Sequence, residues 1–225
     1  MLDIRVVSVG TEYQINAGYI ARVCKNFGVK DLVFVNPRCK IDGKTALMYS
    51  KHAKDLLKNA KVYKSIKDAV KGYLAIGTTD IISKTDSSLY NICNLSEIDR
   101  YIRSKRVAIV LGREGDGLTR EELAECDLSV YIETSKEYTA LNISHALAII
   151  LYKLTHTDLK ASTRAADDKY IERAVTVFSR RVKKLSYIRN KRAVIDAFRH
   201  ILKRANPTTK EVNAIALALS DRDIK

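Results

Sequence analysis

Between Arg106 and Leu154 the chain reads RVAIVLGREGDGLTREELAECDLSVYIETSKEYTALNISHALAIILYKL, two strand-loop-helix junctions in immediate succession. Val107 to Leu111 is short, β-branched and uncharged, which suits a strand covered on both faces, and it empties into a loop with glycines at 112, 115 and 117. Thr119 and Glu122 have capping-box spacing, so a short helix is predicted to start there. Leu128 to Ile132 is a second strand, followed by the polar stretch Glu133 to Thr139 and a helix from Leu141 to Leu154 that is apolar nearly all round and so predicted to be central. Two loops therefore leave parallel strands on one sheet edge, where open α/β sheets place their ligands.

The same reasoning, taken from the start of the chain, extends the sheet. Ile4 to Val9 and Asp31 to Val35 are strands flanking a helix from Ala17 to Phe27, a βαβ unit. A single helix from Leu47 to Ala60, a strand at 61–63, a helix from Ser65 to Val70 capped through Asp68, and a strand from Tyr73 to Gly77 follow. The polar segment after Thr78 is a third ligand-side loop. From Lys169 onward the period is helical, and Pro207 to Glu211 sets up a capping box on a last helix. The organisation predicted is an α/β domain at 1–157, a linker at 158–168, and a helical extension at 169–225.

Charge distinguishes the two parts. The formal net charge is +14; residues 160–225 hold 17 Lys and Arg against 7 Asp and Glu, leaving only +4 for the rest. A concentrated basic surface beside a balanced domain points to a polyanionic partner, nucleic acid rather than membrane, because no basic face is paired with a stripe of large exposed apolar residues. No apolar run resembles a signal peptide or membrane span, so a cytoplasmic protein is expected. Cysteines 24, 39, 93 and 126 lack metal or disulfide spacing and read as ordinary thiols, and histidines 52, 145, 156 and 200 are isolated. The glycine loop is G-x-x-G-x-G, neither a dinucleotide fingerprint nor a phosphate loop, so no phosphate cradle is predicted.

Five segments narrow the reading: Asn16 to Arg22, Lys25 to Gly28, Leu32 to Arg38, Leu111-Gly112-Arg113-Glu114 with Gly117-Leu118, and Tyr138 to Ser144. In order and spacing they resemble the SpoU-type branch of the SPOUT RNA methyltransferases. The stretch from Phe198 to Asn213 is similar to the helical extension of those members that 2′-O-methylate tRNA at the first nucleotide of the anticodon loop. The resemblance implies a mostly parallel sheet flanked by helices with a C-terminal trefoil knot, a homodimer, no metal, and S-adenosylmethionine bound by Gly77, Thr78, Leu111, Gly112, Arg113, Glu114, Gly117, Ile132, Ala140 and Leu141. It further implies Arg22, Asn16 and Asn142 as the catalytic set. Where the branch often has serine, this chain has Ala140, so a hydroxyl role there would pass to Thr139 or Ser144. RNA contacts are expected from Arg22, Lys84, Arg113, Lys183, Lys184, Arg189, Lys191, Arg192 and Arg199. Alternatives are a ribosomal-RNA methyltransferase, or an RNA-binding protein that keeps the fold without catalysis.

Overall fold

The computed structural model describes residues 2–80, 92–102, 106–156, 166–205 and 207–220. Seven strands form one sheet in the order β3-β2-β1-β6-β4-β7-β5, every adjacent pair parallel. They are β1 (Asp3–Val9), β2 (Asp31–Val35), β3 (Lys61–Tyr63), β4 (Leu74–Thr78), β5 (Ile92–Asn94), β6 (Arg106–Leu111) and β7 (Leu128–Tyr131). Between them lie α1 (Gln14–Asn26), α2 (Lys44–Tyr49), α3 (Lys54–Lys58), α4 (Ile66–Ala69) and α5 (Arg120–Leu123), and α6 (Ile143–His156) follows the last strand.

The near-continuous apolar strands are explained by burial on both faces. Val7, Val9, Val33, Ala108 and Val110 pack with residues of α4 and α5, including Ile66, Ala69 and Leu123. Side chains of opposite parity, such as Val6, Phe34, Ile76 and Ile109, are equally buried. Burial pushes the Cys24 and Cys126 thiols well above their ordinary range and Cys93 up to about 11, which leaves all three protonated and unreactive near neutrality. All four cysteines are free.

Local signals were reliable where a cap was written in the sequence. Ser65 Oγ accepts from Asp68 N at 3.1 Å, and complete capping boxes close at Thr119 with Glu122 and at Thr208 with Glu211. Three expectations need correction. The single helix over 47–60 is broken into α2, a 3₁₀ turn at Lys51–Ala53 and α3, because Lys51 takes a left-handed conformation with φ of 51°. β5 was not foreseen; it is three residues long and lies at the sheet edge. Helix α6 is not central on all sides: Leu147, Ile150 and Leu151 are buried, whereas Ile149 and Tyr152 are exposed.

At the N-terminal ends of the strands a single ring joins several of them. Both Arg5 of β1 and Arg106 of β6 stack on Tyr73, which precedes β4, with guanidinium carbons 4.4 and 4.2 Å from the ring centroid. Arg5 also pairs with Asp31 at 2.7 Å, and the Tyr73 hydroxyl donates to the same carboxylate at 3.2 Å. Nearby, Asp127 is buried before β7 and accepts from Ala75 N at 2.9 Å.

The chain divides into two compact units, Met1–Arg100 with Lys105–Leu159, and Tyr101–Ser104 with Lys160–Lys225. Within the second, α7 (Asp168–Lys184), α8 (Lys191–Ala205) and α9 (Thr209–Ala218) enclose a small core of Ile171, Ala174, Val175, Leu202 and Val212. Residues 158–165 of the predicted linker lie outside the described residues, and the helix begins at its last position, Asp168. Among the described residues no helix is long and apolar enough to cross a membrane.

Tyr73 yields a stability prediction. We expect Tyr73→Ala to lower unfolding free energy by about 3–5 kcal/mol, as for a buried aromatic truncation, and Tyr73→Phe by about 1.5–3 kcal/mol, for loss of a hydroxyl bonded to the charged Asp31. Urea titrations of both variants against the parent would measure the difference.

Candidate active site

The C-terminal ends of the neighbouring strands β6, β4 and β7 open onto a cavity of about 400 Å³. Its wall comprises 78–80 after β4, 111–118 after β6, and Ile132 with 139–141 after β7. Ile143, Ala146 and Ile150 add one helical face of α6, a contribution that the loop-centred sequence reading missed. Nine of the ten residues expected at a cofactor line this cavity: Thr78, Leu111, Gly112, Arg113, Glu114, Gly117, Ile132, Ala140 and Leu141. Gly77 does not. It is buried in β4, and a Cβ there would meet Cys126 Sγ and Leu123 Cδ2 at 3.0 Å, so its smallness serves packing.

The glycine loop is shaped from within. A Cβ on Gly112 would stand 2.1 Å from the Gly117 carbonyl carbon and 2.3 Å from Leu118 N, so no other residue fits this crossing of backbone. Two backbone hydrogen bonds between Arg113 and Gly117 close the loop, at 3.0 and 3.2 Å. Arg113 then braces it. Its Nη1 and Nη2 donate to the two Glu122 oxygens at 2.8 and 2.6 Å, and Nη1 also donates to Gly117 O at 3.2 Å. Glu122 meanwhile accepts from Thr119 N at 2.8 Å, so one carboxylate caps α5 and anchors the loop. The Arg113 guanidinium holds the Glu122 carboxyl below the usual range, and Glu122 raises the pKa of Arg113 in return.

Glu114 faces the other way. Helix α1 has no side-chain cap at Tyr13 and no acidic residue in its first turn. The missing negative charge comes from Glu114, whose oxygens accept from Glu12 N at 3.0 Å, Tyr13 N at 3.2 Å and Asn16 Nδ2 at 3.1 Å. Asn16, only 7% exposed, accepts in turn from Asn142 Nδ2 at 3.4 Å. The other end of Asn142 is fixed because its Oδ1 accepts from Ser144 N at 2.9 Å and Ser144 Oγ at 2.7 Å. Glu114, Asn16, Asn142 and Ser144 thus form one chain of hydrogen bonds linking the glycine loop, α1 and the start of α6. Ser144 contributes its hydroxyl to orienting Asn142, while Ala140 and Thr139 are exposed in the cavity wall.

Arg22 is not brought to the cavity of its own chain. It is exposed on α1, six residues beyond Asn16. At 100° and 1.5 Å per residue it is about 120° around the axis and about 9 Å along it from Asn16. Several expected RNA contacts also have partners within the chain: Arg113 as described, Arg199 with Glu172 at 3.2 Å and Asp196 at 2.8 Å, Arg192 with Asp196 at 3.6 Å, and Lys191 with Lys183 O at 2.7 Å. Lys183, Lys184, Arg189 and Arg192 are exposed. Lys84 lies outside the described residues.

Chemically, the wall combines the apolar side chains of Leu111, Ile132, Leu141, Ile143 and Ile150 with three carboxylates, Asp80, Glu114 and Asp116. This composition suits a flat ring carrying a nearby positive charge, and the size lies within the usual range for small-ligand sites. Among the described residues no three His, Cys, Asp or Glu side chains converge as a metal set would.

A parallel sheet with a cavity at its C-terminal strand ends, walled by a glycine loop, is the arrangement in which open α/β folds bind small ligands. The chain belongs to the SpoU rRNA Methylase family, whose profile matches residues 3–152. It is 37% identical over 155 residues to the tRNA (cytidine-2'-O-)-methyltransferase TrmJ of Sulfolobus acidocaldarius, an alignment spanning 68% of this chain and 65% of that protein. It is 30% identical over 239 residues to the tRNA (cytidine/uridine-2'-O-)-methyltransferase TrmJ of Pectobacterium atrosepticum, spanning 98% of this chain and 97% of that one. The fold is similar to the crystal structure of TrmJ from Z. mobilis ZM4, with TM-score 0.73, 20% identity and 96% of each chain covered. It is also similar to the SpoU methyltransferase AviRb from Streptomyces viridochromogenes in complex with the cofactor AdoMet, with TM-score 0.55, 18% identity, and 69% of this chain and 60% of that one covered.

The Arg113–Glu122 brace has a defined pH dependence. A carboxylate with a depressed folded pKa contributes stability above its unfolded pKa of about 4.3 and loses that contribution as pH falls through the folded value. We therefore expect Glu122→Gln to destabilise the chain by about 1–3 kcal/mol at pH 7, and the gap from the parent to close in acid. Thermal melts of both proteins from pH 7 down to pH 3 would measure it.

Proposed function

We propose that this chain methylates the ribose 2′-hydroxyl of tRNA, using S-adenosylmethionine, at the first nucleotide of the anticodon loop. The observation that carries the reading is the hydrogen-bonded chain Glu114–Asn16–Asn142, which joins a glycine-loop cavity to the helix bearing Arg22 in a member of the SpoU methylase family. Support comes from relatives whose names state tRNA 2′-O-methylation. The cavity fits the cofactor on the chemistry of its wall. Backbone groups of 111–114, 132–141 and Thr78 would hold the adenosine, and the carboxylates favour its positive sulfur. When bound, the cofactor supplies a methyl group already activated by a sulfonium.

What remains for the protein is to orient the ribose and ease loss of the hydroxyl proton. Asn16 and Asn142 hold α1 against the cavity rim. Arg22 binds the phosphate beside the acceptor ribose through two parallel N–H groups and stabilises charge developing on the oxygen; a guanidinium, normally protonated, is suited to that role rather than to proton abstraction. Because Arg22 stands outside the cavity of its own chain, the acceptor site is completed in a homodimer, with the exposed Ile149 and Tyr152 of α6 at the interface. The segment between β6 and α6 is threaded as the family's trefoil knot, an exception to the rule that chains avoid knots. The basic helices α7 to α9 form the RNA surface, with Lys183, Lys184, Arg189 and Arg192 as phosphate contacts; such contacts position RNA without reading its sequence.

Incubation with methyl-labelled S-adenosylmethionine and total tRNA, followed by mapping of the labelled nucleotide, tests the activity: label at a ribose of the anticodon loop is expected, and tRNA binding without label would overturn it. Arg22→Ala should reduce turnover at least a hundred-fold, roughly the scale of losing one charge-stabilising donor, with cofactor affinity unchanged. Parental turnover in that variant would remove Arg22 from the site. In sedimentation velocity, the pair Ile149→Asp with Tyr152→Asp should run as a folded monomer lacking methyl transfer. A dimer in that variant would place the interface elsewhere.

A further inference from the structure

The turn between α7 and α8 brings together features that the phosphate contacts alone do not account for. From residue 173 to residue 195 the sequence holds eight lysines and arginines and no acidic residue. At the apex of this stretch stands Tyr187, 76% exposed. A single exposed tyrosine is unremarkable in itself. Here, however, exposed Lys183 and Lys184 precede it and exposed Arg189 follows within two residues.

The apex is also held in place. Lys191 donates to Lys183 O at 2.7 Å, which caps the end of α7 with a cation, and Asn190 Oδ1 accepts from Ala193 N at 3.0 Å, which caps the start of α8. Below the turn, Phe178 and Phe198 pack with ring centroids 4.2 Å apart and planes tilted by 30°. The ring is thus presented on a fixed hairpin between cations. Unpaired nucleotides offer a flat base and a flanking phosphate, and proteins hold them by aromatic stacking combined with basic side chains.

We propose that Tyr187 stacks on an unpaired base of the RNA substrate while Lys183 and Arg189 hold the neighbouring phosphates. This rests on the reading of the chain as a tRNA methyltransferase and adds that its helical unit recognises an unpaired nucleotide, not only duplex backbone. An acidic protein surface would satisfy the charges, but it has no use for a ring on a fixed apex between cations.

Equilibrium binding of the full chain to a tRNA transcript, and to a blunt RNA duplex of similar length, tests the idea across a salt series. Tyr187→Ala should weaken tRNA binding roughly five- to a hundred-fold, the range for one lost base-aromatic stack, with no change in salt slope and no effect on the duplex. Tyr187→Trp should bind tRNA like the parent. Lys183→Ala with Arg189→Ala should instead weaken both RNAs and reduce the salt slope by about 0.7–0.9 per residue. Parental tRNA affinity in Tyr187→Ala would overturn the proposal, as would an equal loss on duplex and tRNA. Methyl transfer by the parent is scored separately: its absence would sink the enzymatic reading and leave the stacking result standing on binding alone.

Discussion

A carboxylate supplied from a distant loop organises this molecule's site. Helix α1 starts without a cap or an acidic first turn, and an uncompensated helix start leaves backbone N–H groups and a partial positive charge unanswered. Glu114 answers both. Because it also binds Asn16, and Asn16 binds Asn142, one side chain fixes the mutual positions of the glycine loop, the first helix and the last helix of the sheet unit. Removing it would uncouple the glycine loop from the start of α1, while Asn16 and Asn142 would keep their own hydrogen bond. Arg113, the neighbouring residue, does the complementary work of holding the loop to α5. Two adjacent residues of opposite charge thus tie one loop to opposite sides of its surroundings.

Much of this could be read from the sequence, and the limits have physical causes. The apolar strand runs, the capping boxes at Thr119 and Thr208, and the loop positions at Thr78, 111–117 and 132–141 are local patterns, and local patterns leave local traces. The break near Lys51 depends on a single left-handed residue that no glycine announces. β5 is too short for any periodicity to register. The partners that some basic residues find within the chain were invisible: Arg113, Lys191 and Arg199 look like their neighbours in sequence, and only the fold brings Glu122, Lys183 O, and Glu172 with Asp196 to meet them. The role of Glu114 was hidden for the same reason, since Asn16 lies 98 residues away along the chain.

The two units differ in how their charge is arranged. The first is nearly balanced in charge and places its carboxylates around a small cavity. The second concentrates the positive charge on three helices and a fixed turn. A polyanion is attracted more strongly by the second set of charges than by the first.

The Tyr73 cluster has a consequence for motion. It stacks two arginines and bonds Asp31 at the strand ends remote from the cavity, joining β1, β2, β6 and the start of β4. Fastened at that end as well as paired along their length, the strands carry their register independently of the cavity loops, so a change in those loops need not disturb the sheet beneath them.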